Sequence, residues 1–207
     1  GGSRIKDKSA LYHIHAERKF DTKIALFTIG ANGRLYTPKS EGSLFIDTGD
    51  VVITNREVGL YGGFEKRTFD DRMILKSTVR LDKNENFPLL VSPAASVVLK
   101  PTLDHTVRMT FSSAIRNPTL LNQYMYYNIG RAKLVGNISG YDSLVTLESL
   151  GDFLVSQNRD TLNYFNLGPI EPERVRSIEM GYRGTVGKRL YVDASWYYSW
   201  YRNFIGF

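Results

Sequence analysis

From residue 8 to residue 114, and again from 175 to 204, apolar and polar residues alternate along the chain. A period of two is the mark of strands with one apolar and one polar face. In 8–20, Tyr12, Ile14 and Ala16 fall in one phase and His13, His15 and Glu17 in the other. Segment 24–36 keeps Phe27 and Ile29 in phase, although its glycines dilute the pattern, and 56–69 does the same with Val58, Leu60 and Phe64. In 72–82, Met73, Leu75, Val79 and Leu81 oppose Lys76, Thr78, Arg80 and Asp82. Segments 91–100 and 105–114 form the next pair, with Val107, Met109 and Phe111 alternating with Arg108, Thr110 and Ser112. In 175–186, Ile178, Met180 and Tyr182 oppose Glu179 and Arg183. In 189–204, Leu190, Val192, Ala194, Trp196, Tyr198 and Trp200 oppose Asp193, Ser195 and Ser199. Eight hairpin-connected strands are predicted.

Short turns at 20–23, 69–72, 101–104 and 187–188 alternate with longer connections at 37–55, 83–90 and 117–172. In an up-and-down antiparallel sheet this places every short turn at one end and every long loop at the other. A soluble sandwich has no reason to segregate loop length, whereas an outer-membrane barrel has short periplasmic turns and long external loops. The last strand grades from Val192 and Ala194 to Trp196, Tyr198 and Trp200 toward the long-loop end, the order of a wall rising into an interfacial aromatic girdle. Connection 37–55 is expected to hold a small hairpin with Asp47-Thr48-Gly49-Asp50 at its tip. From 118 to 172 no period-2 strand is evident. There 143–157 spaces Leu144, Leu147, Leu150, Phe153 and Leu154 as one short amphipathic helix. In "FSSAIRNPTLLNQY" (111–124), Phe111 is expected to end the alternation, Ser112 to Asn117 to leave the sheet, and Pro118 to stop pairing because it has no N–H to donate.

Composition narrows the classes. The net charge is +6 with a sequence pI near 9.4, but the basic residues are scattered with no run of five or more, which argues against nucleic acid as partner. No apolar stretch approaches the ~20 residues of a membrane helix, which leaves barrels untouched. The absence of cysteine removes disulfides and thiolate chemistry. His13 and His15 sit at i, i+2 on one face but lack a third ligand, so no metal site is assigned. Gly59, Gly62, Gly63 and Gly181 have no strand-to-helix context for a phosphate loop and are read as close approach or bending of a sheet. No catalytic constellation and no cofactor site stands out. Glu57, Glu65, Arg80, Asp82, Arg108, Glu179, Arg183 and Asp193 lie on polar strand faces and are expected to pair there.

The runs "SEGSLFIDTG" (40–49), "EVGLYGGFEKRTFDDRMILKSTVRLDKNENF" (57–87), "SPAASVVLKPTLDHTVRMTFSSAIRNPTLLNQY" (92–124) and "EPERVRSIEMGYRG…LYVDASWYYSWYRNFI" (171–205) closely resemble the barrel of TonB-dependent outer-membrane receptors, of the kind common in Bacteroidota. Ala94 stands where the family pattern usually has an arginine. The resemblance implies an all-β fold: about eight strands of a 22-stranded transmembrane barrel, an antiparallel meander with one long loop carrying a short helix. It makes 4–207 a partial barrel following a tag or linker remnant at 1–3, with Phe207 a boundary of the segment rather than the end of a barrel. It implies a receptor, not an enzyme, that binds a scarce nutrient (siderophore, metal chelate, vitamin, glycan or peptide) outside a Gram-negative cell and imports it. The implied partners are outer-membrane lipid, the small nutrient, TonB acting through an N-terminal part outside this sequence, and a surface lipoprotein. Arg116, Asn117, Pro118 and Thr119 form its strand-to-loop motif. From their position in the long loop, Asn122, Gln123, Tyr124, Tyr126, Tyr127 and Tyr141 are the expected ligand contacts. The competing reading of the residues is a soluble or surface-exposed β-rich binding or adhesion module, which would stay monomeric without detergent.

Overall fold

The computed structural model describes residues 4–187 and 189–205. The remnant expected at 1–3, Lys188 of the last short turn, and Phe207 lie outside them. In chain order the elements are β1 (Ala10–Asp21), β2 (Leu26–Thr37), β3 (Asn55–Thr68), β4 (Met73–Asn84), β5 (Leu90–Thr102), β6 (His105–Arg116), α1 (Leu120–Tyr124), β7 (Tyr126–Asn128), β8 (Lys133–Val135), β9 (Tyr141–Val145), α2 (Leu147–Ser156), β10 (Tyr164–Leu167), β11 (Glu173–Val186) and β12 (Leu190–Arg202). They fall into two compact units. Of the described residues, one holds 9–37, 53–117, 172–187 and 189–205; the other holds 4–8, 38–52 and 118–171.

The first unit is one antiparallel sheet of eight strands in the order β1-β2-β3-β4-β5-β6-β11-β12, as expected. It is an open meander whose two outer strands, β1 and β12, are not paired to each other. Cross-strand partners share a face, so the register assigns every side chain. His13, Arg34, Glu57 and Asn84 stand in one row, and His15, Asn32, Gly59 and Asp82 in the next. Thr110, Glu179 and Tyr197 continue the same face on the later strands. All the polar-face residues expected above lie there. The other face presents Tyr12, Ile14, Ile29, Val58, Leu60, Val79, Met109, Met180 and Trp196, each left exposed by the chain itself. A soluble sheet would bury that face against a second layer.

The turn at 69–72 is tight because Phe69, Asp70 and Asp71 all take positive φ, 53°, 51° and 63°. Strand β6 differs from expectation. It stays in the sheet to Arg116, pairing Ser112 with Ala94 and Arg116 with Glu173. Ser112, Ala114 and Arg116 simply continue the polar phase, and small residues fit a ladder without announcing it.

In the second unit the hairpin expected in 37–55 is absent. Asp47 instead gathers the segment as a hub. Its carboxylate accepts from the Ser40 backbone N–H, the Ser40 hydroxyl at 2.8 Å and the Gly42 N–H at 2.6 Å. Glu41 and Gly42 turn the backbone with φ of 51° and 78°, and Phe45 makes a single bridge to Met125. The helix expected over 143–157 is shorter. Residues 141–145 form β9, paired with β10. Thr146 then caps α2 by accepting from the Ser149 N–H, and Gln157 ends it in a left-handed conformation.

Candidate functional site

A cleft of about 690 Å³ lies on the polar face of the large sheet. His13 and His15 come from β1, Asn32, Arg34 and Tyr36 from β2, Glu57 and Tyr61 from β3, Arg80 and Asp82 from β4, and Arg116 and Asn117 from the end of β6. These positions lie toward the strand ends from which the long connections leave.

Two hydrogen-bonded groups give the cleft its shape. In the first, Arg80 donates through Nε and Nη2 to Asp82 at 2.7 and 2.6 Å and through Nη2 to Asn32 Oδ1 at 2.7 Å. Its guanidinium carbon sits 5.7 Å from the centre of the Tyr61 ring. Tyr61 in turn donates to Glu17 at 2.6 Å and meets His15 Nε2 at 2.8 Å. Charge-assisted and bidentate bonds are the strong, geometrically defined ones, so the guanidinium plane is held fixed. In the second group, Glu57 accepts from Asn84 Nδ2 at 2.9 Å and Asn117 Nδ2 at 3.0 Å. Asn84 also donates to Asn55 at 2.7 Å, and both asparagines are only 1% exposed.

Two glycines make this room. A Cβ on Gly30 would lie 2.2 Å from Tyr61 Cζ, so the phenol rests on bare backbone. A Cβ on Gly59 would lie 2.5 Å from both Arg80 Nη2 and Asn32 Oδ1. Close approach, rather than a phosphate loop, is what these glycines serve. Further along the same face, Glu65 pairs with Lys76 and Arg67, Arg108 with Glu179, and Arg183 with Asp193. These pairs are partly exposed and contribute little each.

His15 is engaged by Tyr61, and the His13 and His15 rings are 6.5 Å apart. Among the described residues no group of three or more His, Asp or Glu could hold a metal ion. Sequence reasoning missed Asn32, Arg34 and Tyr61. The available signal was an aromatic in the polar phase of β3, flanked two residues away on each side by Gly59 and Gly63.

The residues expected to touch ligand lie in the second unit, in varied settings. Asn122 closes a capping box with Thr119 at the start of α1. Gln123 is 3% exposed and donates to the Pro118 carbonyl at 2.7 Å. Tyr141 donates to the Gly136 carbonyl at 2.6 Å. Tyr126 carries the Lys133 ammonium 5.4 Å from its ring centre, and Tyr124 and Tyr127 are half-buried. The Lys133 ammonium is held protonated above its usual range by Tyr126. In the strand-to-loop motif, Arg116 pairs with Glu173 at 2.7 Å, Asn117 reaches Glu57, and Pro118 is buried.

The family description "TonB dependent receptor-like, beta-barrel" matches residues 16–207. Among solved structures, the siderophore receptor PirA from Pseudomonas aeruginosa superposes with a TM-score of 0.65 at 17% identity, covering 95% of this chain and 33% of that one. PirA from Acinetobacter baumannii gives 0.60 at 13% identity, covering 94% and 27%. The chain therefore spans about a third or less of these relatives. No curated protein matches it. The open eight-stranded meander, its apolar outer face and the match over 16–207 have one account: the chain belongs to the TonB-dependent receptor β-barrel family and forms part of a barrel wall in a Gram-negative outer membrane.

Proposed function

We propose that this wall belongs to a receptor that captures a scarce polar nutrient outside the cell and imports it with energy delivered through TonB to a part of the receptor beyond this segment. The apolar face meets lipid and the polar face lines the lumen. The observation that carries the reading is the cleft around Arg80 and Tyr61. It is concave, preorganised, and combines cations, carboxylates and a phenol, the few convergent polar groups that fix a ligand. That mixture suits a polar chelate, and both structural neighbours are siderophore receptors by name. A siderophore or another metal chelate is the first ligand class to test, with vitamins and glycans or peptides next. Within the loop itself, Tyr124, Tyr126, Tyr127 and Tyr141 are separate candidate ligand contacts, with Asn122 and Gln123 shaping the backbone around them. The sequence runs that resemble the Bacteroidota kind of receptor support an origin in that group, and with it a surface lipoprotein partner for glycan or peptide uptake.

The test is ligand binding and uptake by the full-length receptor against a panel of ferric chelates, vitamins and oligosaccharides. Arg80→Ala and Tyr61→Ala should weaken binding of the transported compound by about tenfold or more while the barrel still inserts. Unchanged uptake in both variants would remove the cleft from the ligand path. A receptor that stays monomeric and folded in buffer without detergent would refute the membrane reading as a whole.

A further inference from the structure

The two faces of the sheet differ in charge sign as well as polarity. Every acidic residue in the eight strands, namely Glu17, Asp21, Glu57, Glu65, Asp82, Glu173, Glu179 and Asp193, stands on the polar face by register. The apolar face carries charge of one sign only: Arg18, Arg56, Lys66, Lys83, Arg174, Arg176 and Arg202. Arg18 and Lys66 are near the short-turn end. The others lie toward the long-loop end, and three of them converge. Arg174 on β11 stands directly opposite Arg202 on β12, and Arg176 stands opposite Trp200. On the other side their partners on β6 are Ile115 and Ser113. Like charges directly opposed in a ladder destabilise it, and no carboxylate on this face offsets them. Among the described residues none of the three forms an ion pair, and all three are exposed. They border a cleft of about 470 Å³ that also takes in Phe111, Ile178 and Trp200, with Tyr201 of the opposite phase at its margin.

We propose that Arg174, Arg176 and Arg202 form a lipid-phosphate site on the outside of the barrel, which holds the phosphorylated headgroup of an anionic lipid of the outer leaflet. Guanidinium groups offer paired donors matched to phosphate oxygens, and an anion between Arg174 and Arg202 turns their repulsion into shared attraction. Phe111 and Ile178 lie deeper along the same face, where an acyl chain would pack, while Trp200 sits at headgroup level as interfacial tryptophans do. The amphipathic make-up of the cleft and its place on the apolar face argue for a lipid rather than a free anion. The inference rests on the apolar face being the membrane face.

The experiment is native mass spectrometry of the full-length receptor released from nanodiscs doped with lipid A, compared with nanodiscs doped with dephosphorylated lipid A. The wild-type receptor should retain the phosphorylated lipid and lose it as salt rises. The triple variant Arg174→Gln, Arg176→Gln, Arg202→Gln should retain about tenfold less or lower still. The corresponding triple lysine variant, which keeps the charge but not the paired donors, should retain less than wild type and clearly more than the glutamine triple, and this separates charge from damage to the fold. Arg18→Gln with Lys66→Gln, at the opposite rim, should behave as wild type. Equal retention by the glutamine triple, equal retention of the dephosphorylated lipid, or displacement of the lipid by inorganic phosphate at a concentration where chloride of the same ionic strength leaves it bound would each overturn the proposal. A receptor that enters nanodiscs but shows equal retention loses only this site, whereas failure to enter them refutes the membrane reading beneath it.

Discussion

Asn84 closes the long-loop end of β4, and its replacement by alanine is the most quantitative probe of the polar face. At 1% exposure its amide has no water to fall back on. Its Nδ2 donates to Asn55 at 2.7 Å and to Glu57 at 2.9 Å, and its Oδ1 accepts from the Asn86 N–H at 2.8 Å. A neutral hydrogen bond contributes about 1 kcal/mol and one to a carboxylate about 2 kcal/mol, so Asn84→Ala should lower the local opening free energy by about 3–4 kcal/mol. The opening concerns the β3–β4 edge and the 85–89 connection, where the Glu85 N–H donates to the Arg56 carbonyl at 2.8 Å and the Arg56 N–H to the Glu85 carboxylate at 3.1 Å. Hydrogen exchange of the full-length receptor in detergent reads this directly. Peptides over 55–58 and 84–90 should exchange ~150-fold faster or more, with β11 and β12 unaffected. Asn84→Asp sharpens the test. It keeps the acceptor for Asn86 but faces Glu57 with a second carboxylate and cannot donate to Asn55, so it should open at least as readily as alanine. A rise below about fivefold in both variants would show that the Asn55–Asn84–Glu57 group does not hold this end of the sheet.

Gly30→Ala should drive the Tyr61 ring off the backbone, because only its far end obstructs the new Cβ; the sheet should persist while the Tyr61 bonds to His15 and Glu17 are lost, visible as a weakened ligand affinity matching that of Tyr61→Ala. Gly136→Ala is a different case, since its Cβ would meet the Gln123 backbone carbonyl at 2.5 Å; destabilisation of the 118–171 unit by about 1–3 kcal/mol is expected, and protease resistance of that unit equal to wild type would refute it. Lys6 and Lys8 hold the Glu41 carboxyl down to about 2 from an ordinary 4.5. The ordering they provide is therefore complete above pH 4.5 and lost as pH falls toward 2; carbon-detected titration should show the midpoint climb toward the ordinary value in Lys6→Gln/Lys8→Gln, and an unmoved midpoint would sink the assignment. Pro118→Ala keeps the carbonyl that Gln123 uses, so it should loosen the loop by about 0.4–1 kcal/mol through the unfolded chain and reduce uptake more than insertion; a receptor that fails to assemble yet binds normally once assembled contradicts this.

The large sheet was legible because a strand's period of two is written in the residues themselves. Met73, Leu75, Val79 and Leu81 can face one way only while Lys76, Thr78, Arg80 and Asp82 face the other, and the short turns then force the neighbours into a meander. The loop was legible only as an interruption. Strands β7 to β10 are three to five residues long, too short for a period to register, and segment 37–55 is organised by one carboxylate rather than by a ladder. Only its composition, with Ser40, Gly42 and Asp47 close together, could have hinted at that.

The cleft shows where pattern reading stops for a physical reason. Alternation assigns Glu57, Arg80 and Asp82 to the polar face correctly, yet it is indifferent to which of them meet. That is decided by register, which sets Gly30 opposite Tyr61 and Gly59 opposite both Asn32 and Asp82. Within a single strand a glycine has no side chain to mark a face and dilutes the alternation of β2 and β3. Across the ladder the same glycines are the space into which Tyr61, Arg80 and Asn32 fold to build the cleft. The weakest stretches of the strand pattern and the strongest candidate site coincide because a packed side chain at those positions would fill the room a ligand needs.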